Sequence, residues 1–181
     1  MVRVRGVDLL DAEAFVRDGY GADAVERVFA ALDEESRAVF SRPPHGHDWY
    51  PLEALRSYLV TAKAAVAPDE TDFYRRQGRF AAERRKRGPL QSMVATPELR
   101  MRLARTVWRM FYDGGRLEVV GDLADTAVAR IHGFPARPEL CERFRGIWEG
   151  LAGPGARAEE ARCVLRGDPF CELHVVYPRP G

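Results

Sequence analysis

The chain reads as an α+β domain, with an N-terminal strand and helices packed on a small antiparallel sheet that carries one inserted helix. Three observations predict this. Apolar residues recur at helical spacing from about Leu10 to Gly115, the pattern changes to short β-like runs beyond Gly115, and no repeat, low-complexity stretch or linker divides residues 1–181. One domain is therefore expected. With 46% hydrophobic residues in 181, the chain has the material for a single sizeable core. Its 28 Lys and Arg against 27 Asp and Glu leave no net attraction to nucleic acid or anionic lipid. No apolar run approaches the roughly 18 residues of a membrane helix, and Met1–Gly6 lacks the apolar core of a secretory signal. A cytoplasmic protein without nucleic-acid or membrane partners is expected.

The elements follow in order. Val2–Val7 alternates valine with arginine, a period of two that predicts a strand. Phe15, Val16, Val25, Val28, Phe29 and Leu32 recur at helical spacing, and Gly19 and Gly21 split them into two helices. A loop with Pro43, Pro44 and Gly46 runs from Ser41 to Tyr50, and Pro51 suits the first turn of a helix reaching about Val66. Pro68-Asp69-Glu70 opens another helix, which ends in Glu83-Arg84-Arg85-Lys86-Arg87-Gly88 with cations at its C-terminus. Pro97-Glu98 begins one more, ending at Gly114-Gly115. Residues 116–121 and 126–131 are β-like runs about 122–125, Pro138–Leu151 is a helix, and 158–165 and 170–177 form a hairpin about Arg166-Gly167-Asp168-Pro169.

Three cysteines are too few for a disulfide scaffold, so metal or thiol chemistry is the question they pose. A turn about Gly167 sets Cys163 opposite Cys171, with Cβ atoms roughly 4.5–5.5 Å apart. Glu160 precedes Cys163 by three residues, and Cys141 lies on the preceding helix, which must pack on the sheet to bury Ile147, Trp148 and Leu151. Three thiolates and a carboxylate match a tetrahedral zinc shell. In a regular strand Glu160 and Cys163 face opposite ways, so such a site requires a bulge or loop between them. The alternatives are three small buried thiols, or a cross-strand disulfide between Cys163 and Cys171, which a reducing compartment disfavours.

Cys-Val-Leu-Arg-Gly-Asp-Pro-Phe-Cys at 163–171, with Glu160 before it and Cys141 upstream of Gly146 and Gly150, resembles the C-terminal part of the vinyl-4-reductase family. That family comprises small-molecule-binding domains, among them sensor domains of phenol-responsive activators. It belongs to a superfamily named for ligand binding in nitric-oxide signalling and Golgi transport. The resemblance implies a structural zinc held by Cys141, Glu160, Cys163 and Cys171, and a hydrophobic cavity between the helices and the sheet. Trp108, Phe111 and Tyr112, at helical spacing, and Phe134, Phe144 and Trp148 from neighbouring elements are its candidate lining. An aromatic stripe on a helix also reads as plain core. Heme-binding nitric-oxide sensors of the superfamily use a proximal histidine and a Tyr-x-Ser-x-Arg motif. The motif is absent here, so no heme is expected.

The remaining signals are weaker in kind. His45 and His47 sit in the Pro/Gly-rich loop without a second cluster, and the spacing of His132 and His174 does not demand a ligand. The basic stretch Arg75, Arg76, Arg79 and Arg84–Arg87 has no helix-turn-helix or stacking platform beside it and reads as a solvated helix face. No nucleophile elbow, P-loop, dinucleotide fingerprint or zinc-protease motif occurs. The expected function is thus a non-catalytic small-molecule-binding or regulatory domain for a hydrophobic ligand, acting through a protein partner or a homodimer. The alternative is a scaffold domain of the same fold with a closed pocket.

Overall fold

The computed structural model describes residues 1–87, 97–121 and 126–177, except the side chains of residues 97, 98, 100 and 101. Strand β1 (Arg3–Arg5) leads into helices α1 (Gly6–Tyr20), α2 (Ala22–Ala31) and α3 (Glu34–Phe40). Strand β2 (Trp49–Pro51) and helices α4 (Leu52–Val66), α5 (Phe73–Lys86) and α6 (Pro97–Phe111) follow. The C-terminal part is β3 (Arg116–Val120), β4 (Thr126–His132), α7 (Pro138–Ala152), β5 (Arg157–Arg162) and β6 (Cys171–Val176). The α+β class holds: β3-β4-β6-β5 form an antiparallel sheet, with α7 inserted between β4 and β5. The expected turn at 122–125 lies outside the described residues.

Several elements differ from the sequence reading. β1 pairs with β2, a strand the sequence reading placed in a loop, and Val4 also bridges Tyr112 just past α6. Helix α1 begins at Gly6 instead of Leu10, because Gly6 donates its N–H to Asp48 O at 2.9 Å. A Cβ there would lie 2.8 Å from the His45 carbonyl carbon and from the Tyr50 ring. Helix α3 was unforeseen. Asp33 caps it by accepting from Ser36 N at 2.7 Å, with Glu34 and Glu35 in the first turn. Helix α5 starts at Phe73 and not at Pro68, since 68–72 are spent on turns.

Helices α5 and α7 cross at glycine contacts. A Cβ on Gly146 would meet the Arg75 carbonyl, and one on Gly78 would meet the Arg143 carbonyl, so each helix lays backbone directly on the other. This pair positions everything that follows. The buried apolar residues form one cluster running from Val4 and Leu9 through Leu55 and Trp108 to Leu173 and Val175. On β4, Ala127, Ala129 and Ile131 face this core, while Arg130 reaches Glu172 of β6 on the other face at 2.7 Å.

Candidate functional site

An apolar cavity of about 60 Å³ opens between α5, α6, α7 and β3. Helix α6 contributes Ala104, Val107, Trp108 and Phe111, with Tyr112 just beyond it. Helix α7 contributes Phe144, Ile147, Trp148 and Leu151, β3 contributes Leu117, and α5 contributes Ala82, Arg85 and Lys86. Five of the six expected lining residues therefore come together. The sixth, Phe134, lies behind them, edge-on to Trp108 at 5.2 Å and to Phe144 at 5.4 Å, and it lines a smaller neighbouring hollow with Cys141 and Cys171. Trp108 is fixed by donating Nε1–H to Gly114 O at 3.2 Å.

Beneath this cavity lies a charged cluster that sequence reasoning missed. Asp8 is fully buried and accepts from Arg85 Nη2 at 2.7 Å and from Arg143 Nη2. Arg143, 1% exposed, also donates to Tyr112 Oη at 3.0 Å and to Gln77 Oε1 at 2.7 Å. Asp11 accepts from Arg84 Nε at 2.9 Å and faces Arg85 Nε at 3.4 Å. Burial pushes the Asp8 carboxyl up, and the Arg85 and Arg143 charges more than offset it, so Asp8 is held below the usual carboxylate range. For Asp11 burial wins and its pKa is raised. Farther along α5, Arg75 and Arg79 both donate to Glu149, whose side chain is 3% exposed. The basic stretch is thus largely ion-paired and not simply a solvated face, as the sequence reading had it. The available signal was Asp8 and Asp11, three apart on the apolar side of α1.

The four expected metal-ligating residues also converge. Donor atoms of Cys141, Glu160, Cys163 and Cys171 all lie within 4.8 Å of one another. Cys163 Sγ stands 3.9 Å from both Cys141 Sγ and Cys171 Sγ. Ligands at 2.3 Å from a tetrahedral centre are about 3.8 Å apart, so the sulfurs have the spacing of a closed shell. Strand β5 pairs Glu160 with Leu173 but Arg162 with Glu172, so Ala161 is bulged out and Glu160 turns to the side of the cysteines. The sequence reading set Cys163 in the ladder opposite Cys171; it lies instead one step past the end of β5. It is held by Asp168, which accepts its N–H at 2.8 Å, above a 3₁₀ turn at Val164–Arg166 that Gly167 closes at φ 90°. Glu160 Oε2 accepts from Arg166 at 2.9 Å, whereas its Oε1 is buried without a partner. The neighbouring Cys141 side chain brings Cys171 down to about 6, while Cys171 in turn raises Cys141, and burial raises Cys163.

The remaining histidines stay apart from both places. His45 and His47 are exposed, and His132 and His174 pair with Glu118 and Glu172 on the sheet face opposite the helices.

No known family profile and no curated protein matches the sequence. Solved structures do. Over 97% of this chain and 99% of the other, the H-NOX domain of Shewanella oneidensis in its Fe(II)CO state superposes with a TM-score of 0.74 at 13% identity. The fold is that of the H-NOX proteins. The S. oneidensis H-NOX protein in its Fe(II)NO state gives 0.72 at 14% identity, over 97% and 99% of the two chains. A structure from a study of heme distortion in the H-NOX family gives 0.68 at 15%, over 98% and 96%.

Two expectations are corrected by these neighbours. The vinyl-4-reductase resemblance rested on a short stretch, 141–171, whereas the H-NOX similarity runs the length of both chains. The expectation of zinc and no heme falls with it: the solved examples of this fold are described with ferrous iron and heme, and none of these three with zinc. A missing sequence motif did not exclude heme, because a fold is kept by packing that tolerates most changes of sequence.

The described residues do not, however, fit a porphyrin as they stand. Heme iron takes an axial His, Cys, Met or Tyr. Among the described residues only Tyr112 of that set lines the cavity, and its hydroxyl is engaged by Arg143. About 60 Å³ is also far below the roughly 300 Å³ and more of ordinary ligand pockets.

Proposed function

We propose that this chain is a non-catalytic small-molecule-binding regulatory domain, with the aromatic cavity between α5, α6, α7 and β3 as its ligand site. The observation that carries the reading is that cavity: apolar walls from three helices, two indoles among them, with its two cationic lining residues, Arg85 and Lys86, both on α5. Its walls come from elements far apart in the chain, so a ligand wedged among them shifts α6 against the α5–α7 pair. Output then passes through a partner or a second copy that reads that shift. The test is a thermal-shift screen of small apolar compounds with tryptophan fluorescence as second readout, since Trp108 and Trp148 both line the cavity. A ligand at 100 times its Kd adds about 2.7 kcal/mol to the folded state, which in a chain of this size is a rise of roughly 5–10 °C. Silence across a broad panel would favour the scaffold alternative.

The cysteine cluster is read as a closed clip for a thiophilic metal ion, supported by the 3.9 Å sulfur spacing and the orphaned Glu160 Oε1. Three sulfurs and one carboxylate oxygen specify softness and not a particular element. An ion there leaves no open position for a substrate and ties α7 to the β5–β6 hairpin. Cobalt(II), whose thiolate complexes absorb in the near ultraviolet, is the probe, and equimolar uptake is the expected result. Metal-free protein that ignores cobalt leaves three free thiols instead.

A further inference from the structure

Resting on the reading of this chain as a domain whose output is taken by a partner, we infer that the partner is a protein that docks an acidic face on the outer side of α6. Its carboxylates meet Arg102, Arg105 and Arg109, which span about 10 Å of helix, and an apolar side chain meets Met110.

Helix α6 has two unlike faces. Ala104, Val107, Trp108 and Phe111 turn inward and wall the cavity. On the opposite side Arg102, Arg105, Thr106 and Arg109 are exposed, and Met110, 43% exposed, flanks them. The three arginines are three and four residues apart, so their guanidiniums share one stripe. None of them has an ion pair or hydrogen bond among the described residues. On α5, by contrast, Arg75, Arg76, Arg79, Arg84, Arg85 and Lys86 each face a carboxylate. Arg5 adds to the same side of the molecule: its Nε donates to Met110 O at 3.1 Å, and its guanidinium lies 3.9 Å from the centroid of the Trp49 ring. The stripe does nothing for its own helix. Like charges at this spacing repel, and the helix dipole favours only Arg109, in the last turn.

Charge complementarity then selects the occupant. A guanidinium fork matches a carboxylate in a two-point, charge-assisted bond, and arginine with methionine is the composition of protein interfaces. A membrane fits less well, because α6 turns its large apolar side chains into the core and keeps no face to insert. Nucleic acid fits less well too: the rings of α6, Trp108 and Phe111, are buried and offer no base a stacking surface, and the paired cations of α5 do not extend a track for phosphates. Because the inner face of this helix walls the cavity, a ligand inside and a partner outside both act on the position of α6, and each changes the affinity of the other by the same factor.

The experiment titrates the full chain, at two salt concentrations, with a labelled helical peptide that carries glutamates three and four residues apart and a leucine beside them, followed by anisotropy. The counterpart has glutamine for each glutamate, and duplex DNA and phosphatidylserine vesicles are run alongside. The glutamate peptide is expected to bind at least about tenfold tighter than the glutamine one, the sum of three exposed ion pairs, and to weaken as salt rises. Arg105→Glu is expected to remove most of that preference, and lysine in place of the middle glutamate of the peptide to restore binding to this variant, a rescue that a merely structural role of Arg105 would not give. Equal binding of the two peptides, indifference to Arg105→Glu, or no binding up to about 1 mM overturns the acidic partner. Tighter binding of DNA or vesicles overturns it in favour of those surfaces, and self-association that Arg105→Glu abolishes overturns it in favour of a second copy. The small-molecule screen stays separate: hits there with a failed peptide remove the docking face and leave the ligand site, whereas a bound peptide without hits removes the ligand site and leaves the docking face.

Discussion

Gly146 is the position where one methyl group tests the architecture most severely. In the structure a Cβ there would sit 2.8 Å from the Arg75 carbonyl carbon and 3.0 Å from its Cα, with the carbonyl oxygen closer still. Carbon atoms in contact prefer about 3.5–4.0 Å, so the two backbones must separate by roughly 0.5–1 Å or more. No side-chain rotation relieves this, because every obstructing atom is backbone. Overpacking costs about 1–3 kcal/mol and a backbone clash belongs at the upper end, while Gly→Ala in a helix returns about 1 kcal/mol. Gly146→Ala is thus expected to destabilise by about 2 kcal/mol, a fall in Tm of roughly 4–8 °C in a chain of this size. Gly19→Ala is the control: nothing lies within 4 Å of its added Cβ, so only the propensity gain remains. Its Tm is expected to rise by roughly 2–4 °C. Thermal melts followed by helical circular dichroism measure both. An unchanged or raised Tm for Gly146→Ala would refute the claim that α5 and α7 interlock through glycine.

Other expectations address the charges and the cysteines. Arg143→Met leaves Arg85 as the one guanidinium on Asp8 among the described residues and Gln77 Oε1 without its donor, for which about 3 kcal/mol is expected from the precedent of broken buried pairs; a double-mutant cycle with Asp8→Asn reads the coupling. Asp33 is held at about 2 by its bonds from Ser57 and from Ser36 at the α3 cap. A depressed carboxylate stabilises above its unfolded value near 3.9 and loses that contribution as pH falls through the folded value. The gap in urea midpoint between wild type and Asp33→Ala is therefore expected to be widest at pH 7 and to close between pH 4 and 2. Asp8, also depressed, loses stability in the same direction, whereas Asp11, raised by burial, works against it. Cys171→Ser is expected to lose cobalt binding and metal-dependent Tm together, and full cobalt uptake by this variant would sink the four-ligand clip.

The sequence by itself determined the α+β class, six of the seven helices, the inserted α7, the strands of the C-terminal sheet and the convergence of Cys141, Glu160, Cys163 and Cys171. Each rests on local signals: helical periodicity, proline and glycine punctuation, and a hairpin short enough for spacing to imply proximity. Tertiary structure alone decided the rest. The β1–β2 pairing joins segments more than forty residues apart, and α3 shows only a polar cap in sequence. Asp8, Arg85 and Arg143 meet because three helices converge, and no local pattern marks a charge that will be buried by a distant partner. Membership in the H-NOX fold was hidden for the same reason: at 13–15% identity the backbone path persists while the side chains that would announce it do not. Packing requires apolar volume in the right places, and many sequences supply it.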